Sequence, residues 1–204
     1  MLGKSLMWFV SGDESVRTGI QALEAELARA SDRAAAVLAG SLVETRLTTF
    51  LRHRVNYDKK IWDKLTHSSA PLGTFSVKID IAFLFGFISR LAHDDLVIVK
   101  EIRNRFAHDL ELRDFGSQSI RDKCFNLRLV ETYVVDHEAV TAIIAMDGTP
   151  DSIVNDEKDT FRFGGKSART ELSDPRARYI WTAKIFNLAF GLLLPPQAPL
   201  DKRS

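Results

Sequence analysis

Cysteine is almost missing from this chain. One residue, Cys124, is the whole complement among 204, which excludes an intrachain disulfide and a cysteine-rich zinc site and suits a reducing compartment. An excess of one charge is missing too. Lys plus Arg number 28 and Asp plus Glu 27, a formal net charge of +1, so no global field draws the chain to nucleic acid or membrane. Any nucleic-acid contact has to come from a local patch. Long apolar runs are also lacking: the longest, from Ile81 to Ile88, is less than half a membrane span. The first ten residues, Met1 to Val10, hold an apolar core too short for a secretory signal and no small-residue cleavage pattern follows them. No solenoid-length repeat and no low-complexity tract is visible. The expectation is a cytoplasmic protein with no membrane partner.

What is present is ordinary for a globular chain: 45% apolar and 27% charged residues, at a length that fits one domain with a sizeable core. The predicted organisation is a single helical domain over residues 1–196, with a mobile insertion or hairpin at 131–170 and a disordered tail at 197–204.

Val16, Ile20, Leu23 and Leu27 recur at spacings of three and four, predicting a helix over Ser15–Ala30. Ser31-Asp32 then opens a longer helix to about Arg54, with Leu38, Leu42, Leu47 and Leu51 on its buried face. Ala34, Ala35 and Ala36 suit close helix contact. Asp58–Leu65 is a short helical candidate anchored by Trp62. Ser68–Gly73 is a loop, followed by a helix from about Thr74 that stops at Gly86. Ser89 caps the next helix, which carries Leu91, Leu96, Val99, Ile102 and Phe106 and ends near His108. After a break at Phe115–Ser119, Ile120 to about Val130 is expected to be helical. Residues 131–170 differ: Thr132–Val135 and Val140–Ile144 lean towards strand, and Phe161–Gly165 could close a small hairpin. Ser173-Asp174-Pro175 places a cap and a first-turn proline before the last helix. That helix runs through Ile180, Trp181, Ile185, Leu188 and Leu192 to Pro195-Pro196. The fold class expected is all-α, an antiparallel bundle of about five to seven helices with a β-leaning excursion.

Several motif matches dissolve on inspection. Gly165-Lys166-Ser167 imitates a phosphate-binding loop, but the required earlier glycine is Thr160. His137-Glu138 begins like a zinc-protease helix, yet the second histidine would fall on Thr141. His53, His67 and His93 show no ligand spacing. No metal site and no cofactor is expected. Arg176 and Arg178, with Lys166 and Arg169 upstream, have the composition of a solvated helix start.

One stretch concentrates polar chemistry: Lys100-Glu-Ile-Arg103-Asn104-Arg105-Phe106-Ala-His108. Arg103 and His108 are five apart, about 140° on a regular helix. They share a face only if the last turn loosens or bulges, or if the long arginine closes the gap. Arg103 borders the buried stripe of Val99 and Phe106. Glu44, inside an apolar helix, is either solvated or an inward acid facing another helix's arginine. A structural reading is open as well: His108 complementing a helix C-terminus, Arg103 paired with Glu44, Asn104 capping a turn.

Arg103-Asn104 followed after three residues by His108 resembles the arginine-x4–6-histidine motif of the HEPN superfamily. Ser31-Asp-Arg-Ala-Ala-Ala36, Ala70-Pro-Leu-Gly73, Ser76-Val-Lys-Ile79 and Asp174-Pro-Arg-Ala-Arg-Tyr179 resemble, in order, blocks of the mannitol operon repressor family. The superfamily resemblance implies a homodimeric helical bundle and a metal-independent RNA endonuclease, in a toxin or phage-defence role. Arg103 would then stabilise charge on the phosphate, His108 act as acid or base, Asn104 orient one of them, Arg105 attract the RNA backbone and Glu44 support the arginine. The family resemblance implies a different function: a non-catalytic transcriptional regulator working through protein–protein contacts. An antitoxin or regulator partner is implied in either case.

Overall fold

The computed structural model describes residues 25–131, 162–163, 166–167 and 172–192. Its centre is α1, Asp32–Arg54. Ser31 starts the helix by accepting the Ala34 N–H at 3.3 Å, and Arg52, His53 and Arg54 close it against the dipole. Thr45, Thr48 and Thr49 bond the carbonyls of Ser41, Glu44 and Thr45, one turn back, which satisfies their hydroxyls without breaking the helix. Ala35, Ala36, Ala39, Val43, Leu47, Phe50 and Leu51 are buried along it. This helix is long and apolar enough, by length and composition alone, to cross a membrane. Its apolar side is nevertheless covered by three neighbouring helices, as in any core helix.

The remaining helices start where small polar residues can hold their free N–H groups. Asp58 caps α2 (Lys59–Thr66), Thr74 caps α3 (Phe75–Leu84) and Ser89 caps α4 (Arg90–His108). Gly86 ends α3 at φ 71°, with the Phe87 N–H reaching the Ala82 carbonyl at 2.8 Å. That turn demands a left-handed residue, and glycine takes it without strain. α5 spans Gln118–Phe125 and α6 Pro175–Leu192. The two-residue strands β1 (Arg162–Phe163) and β2 (Lys166–Ser167) pair antiparallel.

Contacts fix the helix directions. Arg33 at the start of α1 meets the end of α4, and Phe50 near the end of α1 meets Phe87 just before α4, so α1 and α4 are antiparallel. Ser76 and Asp80 of α3 meet Lys100 and His93 of α4, again antiparallel. α6 runs the same way as α1: Arg176 reaches Leu27 and Ala30, Tyr179 reaches Ala36, Arg46 reaches Asn187, and Phe50 packs on Phe190. A parallel neighbour departs from a purely antiparallel bundle. Glu131 pairs with Arg178 near the start of α6. Residues 131 and 178 thus lie together at one end of the bundle.

One predicted helix is broken. Instead of running from 120 to 130, α5 stops at Phe125 and a new helical turn begins at Leu129. The cause is Asp95 of α4, buried at 1% exposure. Its carboxylate accepts the Arg128 N–H at 3.0 Å and the Leu129 N–H at 2.7 Å, capping the new turn from 34 residues away. The helix expected over 15–30 is described only from residue 25, where it is helical to Arg29. The β-leaning stretches at 132–144, Arg169 and the tail at 197–204 lie outside the described residues, as do the side chains of Leu188 and Leu192.

Burial pushes the Asp95 carboxyl up to about 6, against the pull of the Leu129 and Arg128 N–H groups and of the Arg128 and Arg178 charges. A carboxyl raised in the folded state binds its proton more tightly there than in the unfolded chain. Its stabilising contribution is therefore full below about pH 4 and lost as pH rises through about 6. Relative to Asp95→Asn, the wild type should gain stability as pH falls from 7 to 4, by about 3 kcal/mol at most. Urea denaturation at stepped pH measures it; parallel profiles for the two proteins would contradict the assignment.

Candidate functional site

α4 is a regular helix through His108, with no bulge in its last turn. Its buried residues are Ala92, Asp95, Leu96, Val99, Ile102 and Phe106. Arg103 follows Val99 by four residues and so sits about 40° from it; His108 follows by nine and sits about 180° away. The arginine leaves the helix beside the core, and the histidine leaves it towards solvent.

Arg103 is held from two sides. Its Nη2 donates to Glu44 Oε2 of α1, and its guanidinium lies 5.6 Å from the centre of the Phe75 ring on α3. Its Nε is buried and has no partner. Glu44 also accepts from Lys78 Nζ at 3.1 Å, and Lys78 is itself buried at 8% exposure. One carboxylate therefore serves two cations, the pairing that buried charges need. A glycine makes this possible. A Cβ on Gly40 would stand 2.7 Å from Cβ and Cγ of Arg103 and 2.8 Å from the Tyr179 hydroxyl. Tyr179 is fully buried, donates to the Ala36 carbonyl at 2.9 Å, and has its phenol pushed well above the usual range by burial. α1, α4 and α6 meet at this point.

The end of α4 is fixed differently. The Arg33 guanidinium donates to the carbonyls of Phe106, Asp109 and Leu112, the last two at 2.8 and 2.6 Å, gathering free C=O groups of the helix terminus. Asp109 accepts the N–H groups of Glu111 and Leu112. Arg105 bonds Ser119 at 2.7 Å and Asp109 at 3.3 Å, and that arginine holds the Asp109 carboxyl below its ordinary value. Arg105 is thus tied to its own chain at both prongs. Asn104 is half-buried and His108 exposed; neither has a hydrogen-bond partner among the described residues. Four residues apart, these two share the solvent side of α4.

The structure therefore brings Glu44 to Arg103, and Asn104 to the side of His108, but puts the two pairs on different faces. The basic pair on α6 departs from the solvated reading. Arg178 is 4% exposed and bonds the carbonyls of Cys124 and Leu127 and the Glu131 carboxylate. Arg176 bonds Leu27 and Ala30 carbonyls and pairs with Asp32. Both close helix ends that would otherwise leave buried carbonyls unmatched. His93 sits between Asp80 and Asp94 at 3.0 and 3.1 Å. Cys124 is buried, and burial raises its thiol to about 12, leaving it unreactive. Among the described residues no three His, Cys, Asp or Glu side chains are grouped as a metal site.

Sequence reasoning passed over Arg33, Gly40, Lys78 and Tyr179. Gly40 carried a usable signal, since a lone glycine inside a strong helical pattern marks a close approach. The others stood only as members of the family-like blocks, which gave them no individual role. No protein-family model, no curated protein and no solved structure matches the chain.

Removing Arg103 leaves Glu44 still paired with Lys78, so Arg103→Ala should cost about 2 kcal/mol, short of the full penalty for breaking a buried pair. His108→Ala should change stability by less than about 0.5 kcal/mol. Thermal and urea unfolding of the two variants check the contrast; equal effects would contradict it.

Proposed function

We propose that this chain is a non-catalytic cytoplasmic regulator of the mannitol operon repressor type, a helical bundle that dimerises and acts through protein–protein contacts. The observation that carries the reading is Arg103. Its guanidinium is engaged by Glu44 beside Phe75, on the core side of α4 and across the helix from His108. A phosphate approaching the imidazole would not meet this cation. The residues of the family-like blocks support the same reading by where they stand. Asp32 with Arg176, Arg33 with Phe106, Lys78 with Glu44, Arg178 with Cys124 and Tyr179 with Ala36 each join one helix to another, so those blocks have a structural reason to exist.

A second reading is supported by one specific observation. Asn104 and His108 are unbonded on the solvent face, so a second copy could place its own pair alongside them. Two imidazoles would then supply acid and base for metal-independent cleavage of RNA, with toxin or phage-defence chemistry and an antitoxin as partner. In this reading the phosphate charge needs another cation than Arg103.

Incubation with total RNA in excess chelator separates the two. We expect no cleavage above background and no difference between wild type and His108→Ala. We also expect a dimer by light scattering and capture of a protein partner by the tagged chain. Products ending in 2′,3′-cyclic phosphate, formed by wild type and lost in His108→Ala, would overturn the non-catalytic reading in favour of the second.

A further inference from the structure

The end of the bundle away from His108 carries the charge that the chain as a whole lacks. Residues 52–67 hold five Lys and Arg against two Asp, a formal +3 within a chain whose total is +1. Both acids are occupied locally: Asp58 accepts the Ile61 N–H at 2.9 Å as the cap of α2, and Asp63 pairs with Lys59. Arg52, Arg54, Lys60 and Lys64 have no carboxylate partner among the described residues. α1 rises about 1.5 Å per residue, which puts Arg52 about 30 Å along it from Arg33, the residue that grips the His108 end.

The same end exposes aromatic and apolar groups. No residue of α2 is buried; Ile61 is 59% and Tyr57 49% exposed. Arg52 lies over the Tyr57 ring at 5.2 Å, with Trp62 6.4 Å from that ring. Arg54 lies over Phe50 at 5.1 Å, and Phe50 contacts Phe87, which contacts the exposed Phe85. The Phe50 ring beneath Arg54 is itself buried, so the rings that reach solvent beside these cations are Tyr57 and Phe85.

The charge suits a polyanion, and the rings narrow the choice. A bilayer takes a continuous apolar helix face, but on α2 only Ile61 is fully outward, while Trp62 and Leu65 are half-buried. A duplex hides its base faces from Tyr57. A single strand offers phosphates and open base faces together. We infer that Arg52, Arg54, Lys60 and Lys64, set around Tyr57, form a binding surface for single-stranded nucleic acid, the cations on the backbone and the tyrosine under a base. This surface is independent of the roles of Arg103 and His108.

The test is fluorescence anisotropy of the full chain with labelled oligo-uridine and oligo-deoxythymidine of about 15 nucleotides. Binding of either, with log affinity falling against log salt at a slope of about −3, is the expected result for four phosphate contacts on a single strand. Arg52→Ala/Lys60→Ala/Lys64→Ala should weaken binding at least about tenfold and flatten the slope to about −1. Tyr57→Ala should weaken it about tenfold while Tyr57→Phe retains it. Arg113→Ala, at the opposite end, should bind as wild type. Circular dichroism checks that the surface variants keep their helicity. The proposal is overturned if neither oligonucleotide binds, if the triple and Tyr57→Ala variants bind like wild type, or if the protein binds phosphatidylserine vesicles and neither oligonucleotide.

Discussion

Glu44 stands where three helices need a negative charge. Lys78 from α3 and Arg103 from α4 both point inward at α1, and each would be an uncompensated cation without that carboxylate. Such a charge is costly in proportion to its desolvation. The arrangement closes only because Gly40, one turn before Glu44, has no side chain to hold α4 and α6 away. Tyr179 then fills the remaining space and spends its hydroxyl on the Ala36 carbonyl. Placing any of these groups fixes the others: the acid selects the cations, the glycine sets the spacing, and the tyrosine registers α6 against α1.

That constraint sorts the polar run at the end of α4 by helix face. Arg103 is drawn to the core edge by Glu44 and Phe75. Arg105 is drawn sideways to Ser119 and Asp109. Asn104 and His108 remain for the outside. A short motif in sequence becomes three separate environments, because about 100° of rotation per residue outweighs adjacency. Arg33 makes the separation durable. By holding the carbonyls of Phe106, Asp109 and Leu112 it stops the last turn from loosening, the movement that would let the arginine and histidine converge.

Local structure was legible because its causes are local. Ser31, Asp58, Thr74 and Ser89 each bond an N–H three residues on, and Gly86 takes the left-handed turn that ends α3. Such signals lie within one turn of what they control. The broken helix at 126 was illegible for the opposite reason, since its cap, Asp95, is on α4. The same holds for Arg33, which bonds carbonyls 73 to 79 residues away, and Arg176, which reaches back 149. A charged residue in a helical pattern does not announce whether water or a distant helix end will satisfy it. Arg176 and Arg178 look solvated in sequence and are interior clamps in the fold. The grouping of Arg103 with His108 came from spacing along the chain, whereas the alternative pairing of Arg103 with Glu44, 59 residues earlier, was open in the sequence because an acid inside an apolar helix calls for a cation.

The central claim is that Arg103 belongs to the packing of α1 against α4. A double-mutant cycle on Arg103→Ala and Glu44→Gln, read by urea denaturation at neutral pH, measures that most directly. A coupling energy of about 1–2 kcal/mol is the expected result for a partly buried pair. Additive losses, with no coupling between the two positions, would contradict it and leave the arginine free for other work.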